Sequence, residues 1–181
     1  ELWKSDGTEA GTAMVKDIEP VSSSYPEHLT VSGNMLYFVA DPRASGEELW
    51  KSDGTDAGTM LVKNIASGSL NSYPKFLTAQ GDLLYFVADD MAAHGEELWK
   101  SDGTDAGTML VKDINNGSDG SSIDHLTAGD DMLYFTADDG SNGVELWRSN
   151  GTDEDTVMVI DIRNGAVPGS SPDHVTVIGD Q

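Results

Sequence analysis

Apolar positions along the chain fall in short runs separated by Gly, Ser, Asp and Pro, and none sustains the 3.6-residue period of an amphipathic helix. The runs recur. Glu-Leu-Trp begins at Glu1, Glu48, Glu97 and Glu145, at spacings of 47, 49 and 48 residues, and every tryptophan (Trp3, Trp50, Trp99, Trp147) lies in it. Lys-Ser-Asp-Gly-Thr follows three times, and Arg148-Ser-Asn-Gly-Thr152 follows in the last unit. An apolar run then ends at Ile18, Ile65, Ile114 or Ile162. A Ser/Gly/Pro-rich loop leads to a Leu-Thr or Val-Thr segment (Leu29, Leu77, Leu126, Val175), and Leu-Tyr-Phe follows at Leu36, Leu84 and Leu133. An internal repeat this regular decides the architecture before any single residue does.

Each unit predicts four short strands, at 28–32, 35–40, 47–52 and 59–65 in the best-defined unit, all rich in β-formers. Asp-Gly or Asn-Gly joins the third to the fourth, a strong hairpin signal because these residues accept positive φ. The second strand, Met35 to Ala40, is apolar on both faces, so it must be covered above and below; a lone antiparallel sheet would alternate. The expected fold is all-β, a β-propeller-like array of four-stranded antiparallel blades, with a linear β-solenoid of the same sheets as the alternative. Residues 1–181 read as a single repeat array with repeats beginning at 1, 48, 97 and 145. The chain opens on a third strand and stops after a first, at Gly179-Asp180-Gln181. Pairing its ends would leave one blade a strand short, so it is expected to be a segment of a longer chain.

Glu48-Leu-Trp-Lys-Ser-Asp-Gly-Thr55 and its three partners resemble the signature of the bacterial ELWxxDGT-repeat family, and the likeness covers the whole chain. The last unit departs from it with Arg148, Asn150 and Asp155, the last where the others have Gly11, Gly58 and Gly107. The resemblance implies secreted or cell-surface proteins, propeller-like in fold and mostly without assigned activity. It brings no catalytic residues to carry over.

Charge narrows the partners. Of 181 residues, 32 are Asp or Glu and 10 are Lys or Arg, a formal net charge of −22. Such a field repels phosphate backbones and anionic lipid, which argues against nucleic acid and membrane surfaces. No apolar run approaches the ~18 residues of a spanning helix. With no cysteine there is no disulfide framework, thiolate metal site or Cys nucleophile. GxSxG, P-loop and GxGxxG patterns are absent too, and the three arginines (Arg43, Arg148, Arg163) hold unrelated repeat positions. The expectation is a non-enzyme.

Binding chemistry is sparse. Carboxylates gather where the second strand meets the third: Asp41, Glu47 and Glu48; Asp89, Asp90, Glu96 and Glu97; Asp138, Asp139 and Glu145. The last two groups are calcium candidates, since hard cations want several oxygens on a flexible loop. A solvated acidic rim is the favoured reading, because no recognised coordination spacing is met. The Asp of each Ser-Asp-Gly-Thr is expected to cap its own turn. His28, His125 and His174 share one repeat position with Phe76, which favours packing over metal ligation. The tryptophans are read as buried structural anchors rather than sugar-stacking platforms. Together these features point to an extracellular structural or adhesive scaffold whose partners are the rest of its array or copies of itself. A lectin-like glycan-binding module, or the non-catalytic part of a carbohydrate-active enzyme, is the alternative.

Overall fold

The computed structural model describes residues 1–165 and 169–178, and it is all-β, with no helix among them. A two-stranded sheet, β1 (Leu2–Lys4) with β2 (Ala13–Lys16), comes first. Three four-stranded antiparallel sheets follow in chain order. The second sheet is β3 (Glu27–Ser32), β4 (Met35–Ala40), β5 (Glu48–Ser52) and β6 (Met60–Leu61). The third is β7 (Lys75–Gln80), β8 (Leu83–Asp89), β9 (Glu96–Ser101) and β10 (Met109–Lys112). The fourth is β11 (Asp124–Ala128), β12 (Leu133–Asp138), β13 (Val144–Ser149) and β14 (Val157–Ile160). Every sheet is a simple meander, each strand pairing with the next in sequence.

Burial follows the two-faced apolar pattern. In β8, Leu84, Phe86 and Ala88 join Trp99 against Tyr37 and Leu49 of the second sheet and Val62 and Ile65 just beyond β6. The alternate residues Tyr85 and Val87 pack with Leu98, Val111 and Ile114 against Leu133, Phe135, Ala137 and Trp147 of the fourth. Leu2, Val15 and Ile18 of the first sheet meet Phe38, Ala40 and Trp50 in the same way. One stencil thus builds three interfaces. The first strands of successive four-stranded sheets come close: Cα atoms of β3 lie within 8 Å of β7, and those of β7 within 8 Å of β11. Face-packed sheets ordinarily stand about 10 Å apart.

Two expectations need correction. The fourth strand of the second unit is only Met60–Leu61, not 59–65. Val62 N still bonds Leu49 O at 2.9 Å, but the amides of Ile65 and Ala66 turn to the Glu48 carboxylate and leave the ladder. The fourth first strand forms no ladder either. Val175 lies beside β11, its carbonyl accepting from Thr127 Oγ1 at 3.2 Å, and is not assigned as a strand. Gly179-Asp180-Gln181, after this first strand, lies outside the described residues.

Candidate functional site

Trp50, Trp99 and Trp147 are buried inter-sheet anchors, each pressed on the sheet before it. Trp3 departs from that expectation: it is 60% exposed. The three buried rings are therefore closed to a sugar.

The glutamate before each Leu-Trp does something its sequence context hides. Pleating puts Glu48 on the same face as Trp50, in a strand buried on both sides, so its carboxylate is fully enclosed. There it accepts from Ile65 N (3.1 Å), Ala66 N (2.9 Å) and Ser72 Oγ (2.5 Å). Glu97 accepts from Asn115 N (3.1 Å) and Ser121 Oγ (2.7 Å). Glu145 accepts from Ile162 N, Ser170 N and Ser170 Oγ, and Glu1 from Ile18 N and Ser24 Oγ. Each clamps the loop that leaves its own sheet. No base pairs with Glu48 or Glu97, and burial pushes both carboxyls up to about 7 despite their hydrogen bonds. At Glu145 burial also works upward, but Ser170 and three backbone amides outweigh it and hold the group low.

The Ser-Asp-Gly-Thr turn is closed as expected. Asp53 Oδ1 accepts from Thr55 N (2.8 Å) and Thr55 Oγ1 (2.7 Å), and these bonds hold its carboxyl below the usual range. Gly58 passes so near that a Cβ there would lie 2.1 Å from Asp53 Oδ1. In the last unit Asp155 fills that position, and Asn150 Nδ2 donates to it at 2.6 Å. The two departures from the repeat are one change: an amide replaces a carboxylate where a second carboxylate arrives.

Cations then tie units together. Lys4, Lys51 and Lys100 Nζ donate to the carbonyls of Gly54, Gly103 and Gly151, each in the next unit's turn. Lys16, Lys63 and Lys112 pair with Asp56, Asp105 and Asp153 at 2.9–3.0 Å.

The calcium candidates are dispersed among other tasks. Glu97 and Glu145 are the buried clamps. Asp89 Oδ1 accepts from Met91 N, and Asp138 Oδ1 from Gly140 N. Asp90 gathers the amides of Ala92 and Ala93 and pairs with His94 Nδ1 at 2.6 Å. Asp139 takes Ser141 N, Asn142 N and Asn142 Nδ2. Glu96 holds Lys75 Nζ at 2.8 Å on both oxygens. Among the described residues no three Asp, Glu or His side chains converge as ligands of one ion.

The histidine position is not core. His28, Phe76, His125 and His174 all sit in the left-handed region (φ 54, 56, 58 and 55°), the first three at the bulges of β3, β7 and β11. Phe76 is 38% exposed and His174 more open still. His125 Nε2 reaches Asp173 Oδ1 of the next unit at 2.8 Å. A repeated positive φ on non-glycine residues is a backbone requirement that sequence patterning does not announce.

No family model matches the chain, and no curated protein is similar to it.

Proposed function

We propose that the chain is part of an extracellular, non-catalytic repeat scaffold, propeller-like in form, that presents loops or assembles with further copies of its own repeat. One observation carries this reading: the polar residues of the repeated motif are occupied in the array's own turns, loops and inter-unit contacts. The glutamates clamp loops, the aspartates cap turns and the lysines reach the neighbouring unit, so the residues that recur are those that propagate the array. Repeat architectures draw their stability from such nearest-neighbour interfaces. The close approach of β3, β7 and β11 favours sheets fanned about an inner axis over a straight stack. Secretion or surface display rests on the resemblance to ELWxxDGT-repeat proteins and on the strongly acidic surface.

A lectin-like role would have to use the exposed Tyr25 and Tyr73 rather than the buried tryptophans. Labelled chain on a glycan array separates the two readings. The scaffold reading expects no glycan bound above background. Saturable binding to one glycan class, lost on Tyr25→Ala with Tyr73→Ala, would replace it.

A further inference from the structure

The wall between the second-strand loop and the first strand is alike in the second and third units, except that Glu27 stands where the third unit has Lys75 and His28 where it has Phe76. In the third unit it carries Tyr73, Lys75, Val87, Asp89 and Glu96, and Lys75 fills it with its own ammonium, 2.8 Å from both Glu96 oxygens and 5.6 Å over the Phe76 ring. Asp89 stands opposite Glu96 in the ladder. In the second unit the corresponding residues are Tyr25, Glu27, Val39, Asp41 and Glu47, and they line an open cleft of about 210 Å³. Glutamate has replaced the lysine. The internal cation is gone, and a third carboxylate takes its place.

Among the described residues no Lys or Arg side chain enters the cleft, and its basic neighbour is His28, beside Glu27. Among the described residues no hydrogen bond or ion pair reaches the Glu27 or Glu47 carboxylate, and Asp41 is engaged only through Oδ1, by Arg43 N at 2.6 Å. The nearby Arg43 guanidinium turns away to Ser22 Oγ. Like charges so placed repel: burial first, then Glu27 and Asp41, push the Glu47 carboxyl up, with His28 pulling the other way. Tyr25 is 65% exposed and held at positive φ (44°), which keeps an aromatic face at the mouth. The three carboxylates do not converge as metal ligands would, so a bare divalent ion is a poor guest. A larger cation carrying hydrocarbon suits Val39 and Tyr25 as well as the acids.

We propose that the Tyr25–Glu27–Val39–Asp41–Glu47 cleft binds an alkyl ammonium group, the chemistry a lysine side chain of a partner protein presents. The third unit supplies the precedent in the same fold: the position is built to seat an ammonium, and the second unit leaves it open to one from outside. The site belongs to the second sheet with its adjoining loop, and does not depend on whether the units close into a ring.

The test is a titration of 15N-labelled chain with N-acetyl-lysine methylamide, followed by amide shifts. Its neutral norleucine counterpart, glucosamine, calcium chloride and sodium chloride serve as comparisons at matched ionic strength. Saturable shifts confined to the neighbourhood of Tyr25, Glu27 and Glu47, given by the lysine probe and not by norleucine or salt, are expected. Glu27→Lys, which copies the third unit and so keeps a side chain its fold accepts, should weaken binding at least tenfold. Glu47→Gln should do likewise and serves if the first variant is unstable. Lys75→Glu should open a second site beside Glu96. Shifts that do not saturate, that calcium or sodium reproduces, that glucosamine gives more strongly, or that persist in both Glu27→Lys and Glu47→Gln would overturn the proposal.

Discussion

Burying a carboxylate with no basic partner costs free energy, yet Glu48 and Glu97 are fully enclosed. The compensation is geometric: backbone amides and a serine hydroxyl converge on each. The sign of the resulting pH dependence is fixed. In the unfolded chain these groups titrate near 4.5, and in the folded chain near 7. Between those values the folded state holds more protons than the unfolded, so stability falls as pH rises from 4.5 through 7. His94, raised by its bond to Asp90, adds to the same trend. Asp53 and Asp102, held low by their threonines, lose their contribution only as pH falls through their lowered values, below this window. Thermal midpoints measured across the window should therefore decline with pH. Glu48→Gln with Glu97→Gln in a His94→Asn background should flatten the decline. An unchanged slope would mean that these carboxyls ionise as freely folded as unfolded.

At the scale of the element, the hairpin turn couples residues five apart. Gly58 and Gly107 exist because Asp53 and Asp102 occupy the space a Cβ would need. Asn150 with Asp155 is the other solution to the same packing. Asn150→Asp alone would set two carboxylates against each other in the turn and should lower stability by about 1 kcal/mol, a typical size for one lost hydrogen bond. Adding Asp155→Gly should restore most of it. Additive effects in this double-mutant cycle, read by chemical denaturation, would show the pairing to be incidental.

Much of the element level was legible in sequence. Met35 to Ala40, apolar on both faces, already required a sheet on either side, and Asp-Gly placed the hairpins. The role of Glu97 and Glu145 was not read, because a glutamate beside a lysine-bearing strand end resembles a solvated charge. The signal was present nonetheless: Glu48 shares the pleat face of Trp50, and a serine lies 23 to 25 residues on in every unit (Ser24, Ser72, Ser121, Ser170). The open cleft at Glu47 was invisible for another reason. Its meaning lies in the exchange of Lys75 for Glu27, which matters only once both are known to face the same wall.

At the scale of the whole molecule, one stencil repeated with inter-unit lysine bridges makes neighbours interdependent, while a charge of −22 opposes compaction. Loop carboxylates that already accept their own backbone amides leave little for an ion to gain. Melting curves in calcium, magnesium and sodium at matched ionic strength should therefore superimpose. A rise peculiar to calcium, removed by Asp89→Asn with Asp90→Asn, would restore the calcium reading.

The central proposal is that the repeated sheets fan about an inner axis, tied by their first strands. Because the chain has no cysteine, pairs for spin labelling can be placed without background. One pair, Leu29 with Leu126, spans the first strands of the second and fourth sheets; the other, Met60 with Val157, spans their last strands. Electron–electron distance measurement on both decides the geometry. The fan predicts a last-strand distance clearly longer than the first-strand one. Equal distances would mean a straight stack and would contradict the propeller-like scaffold.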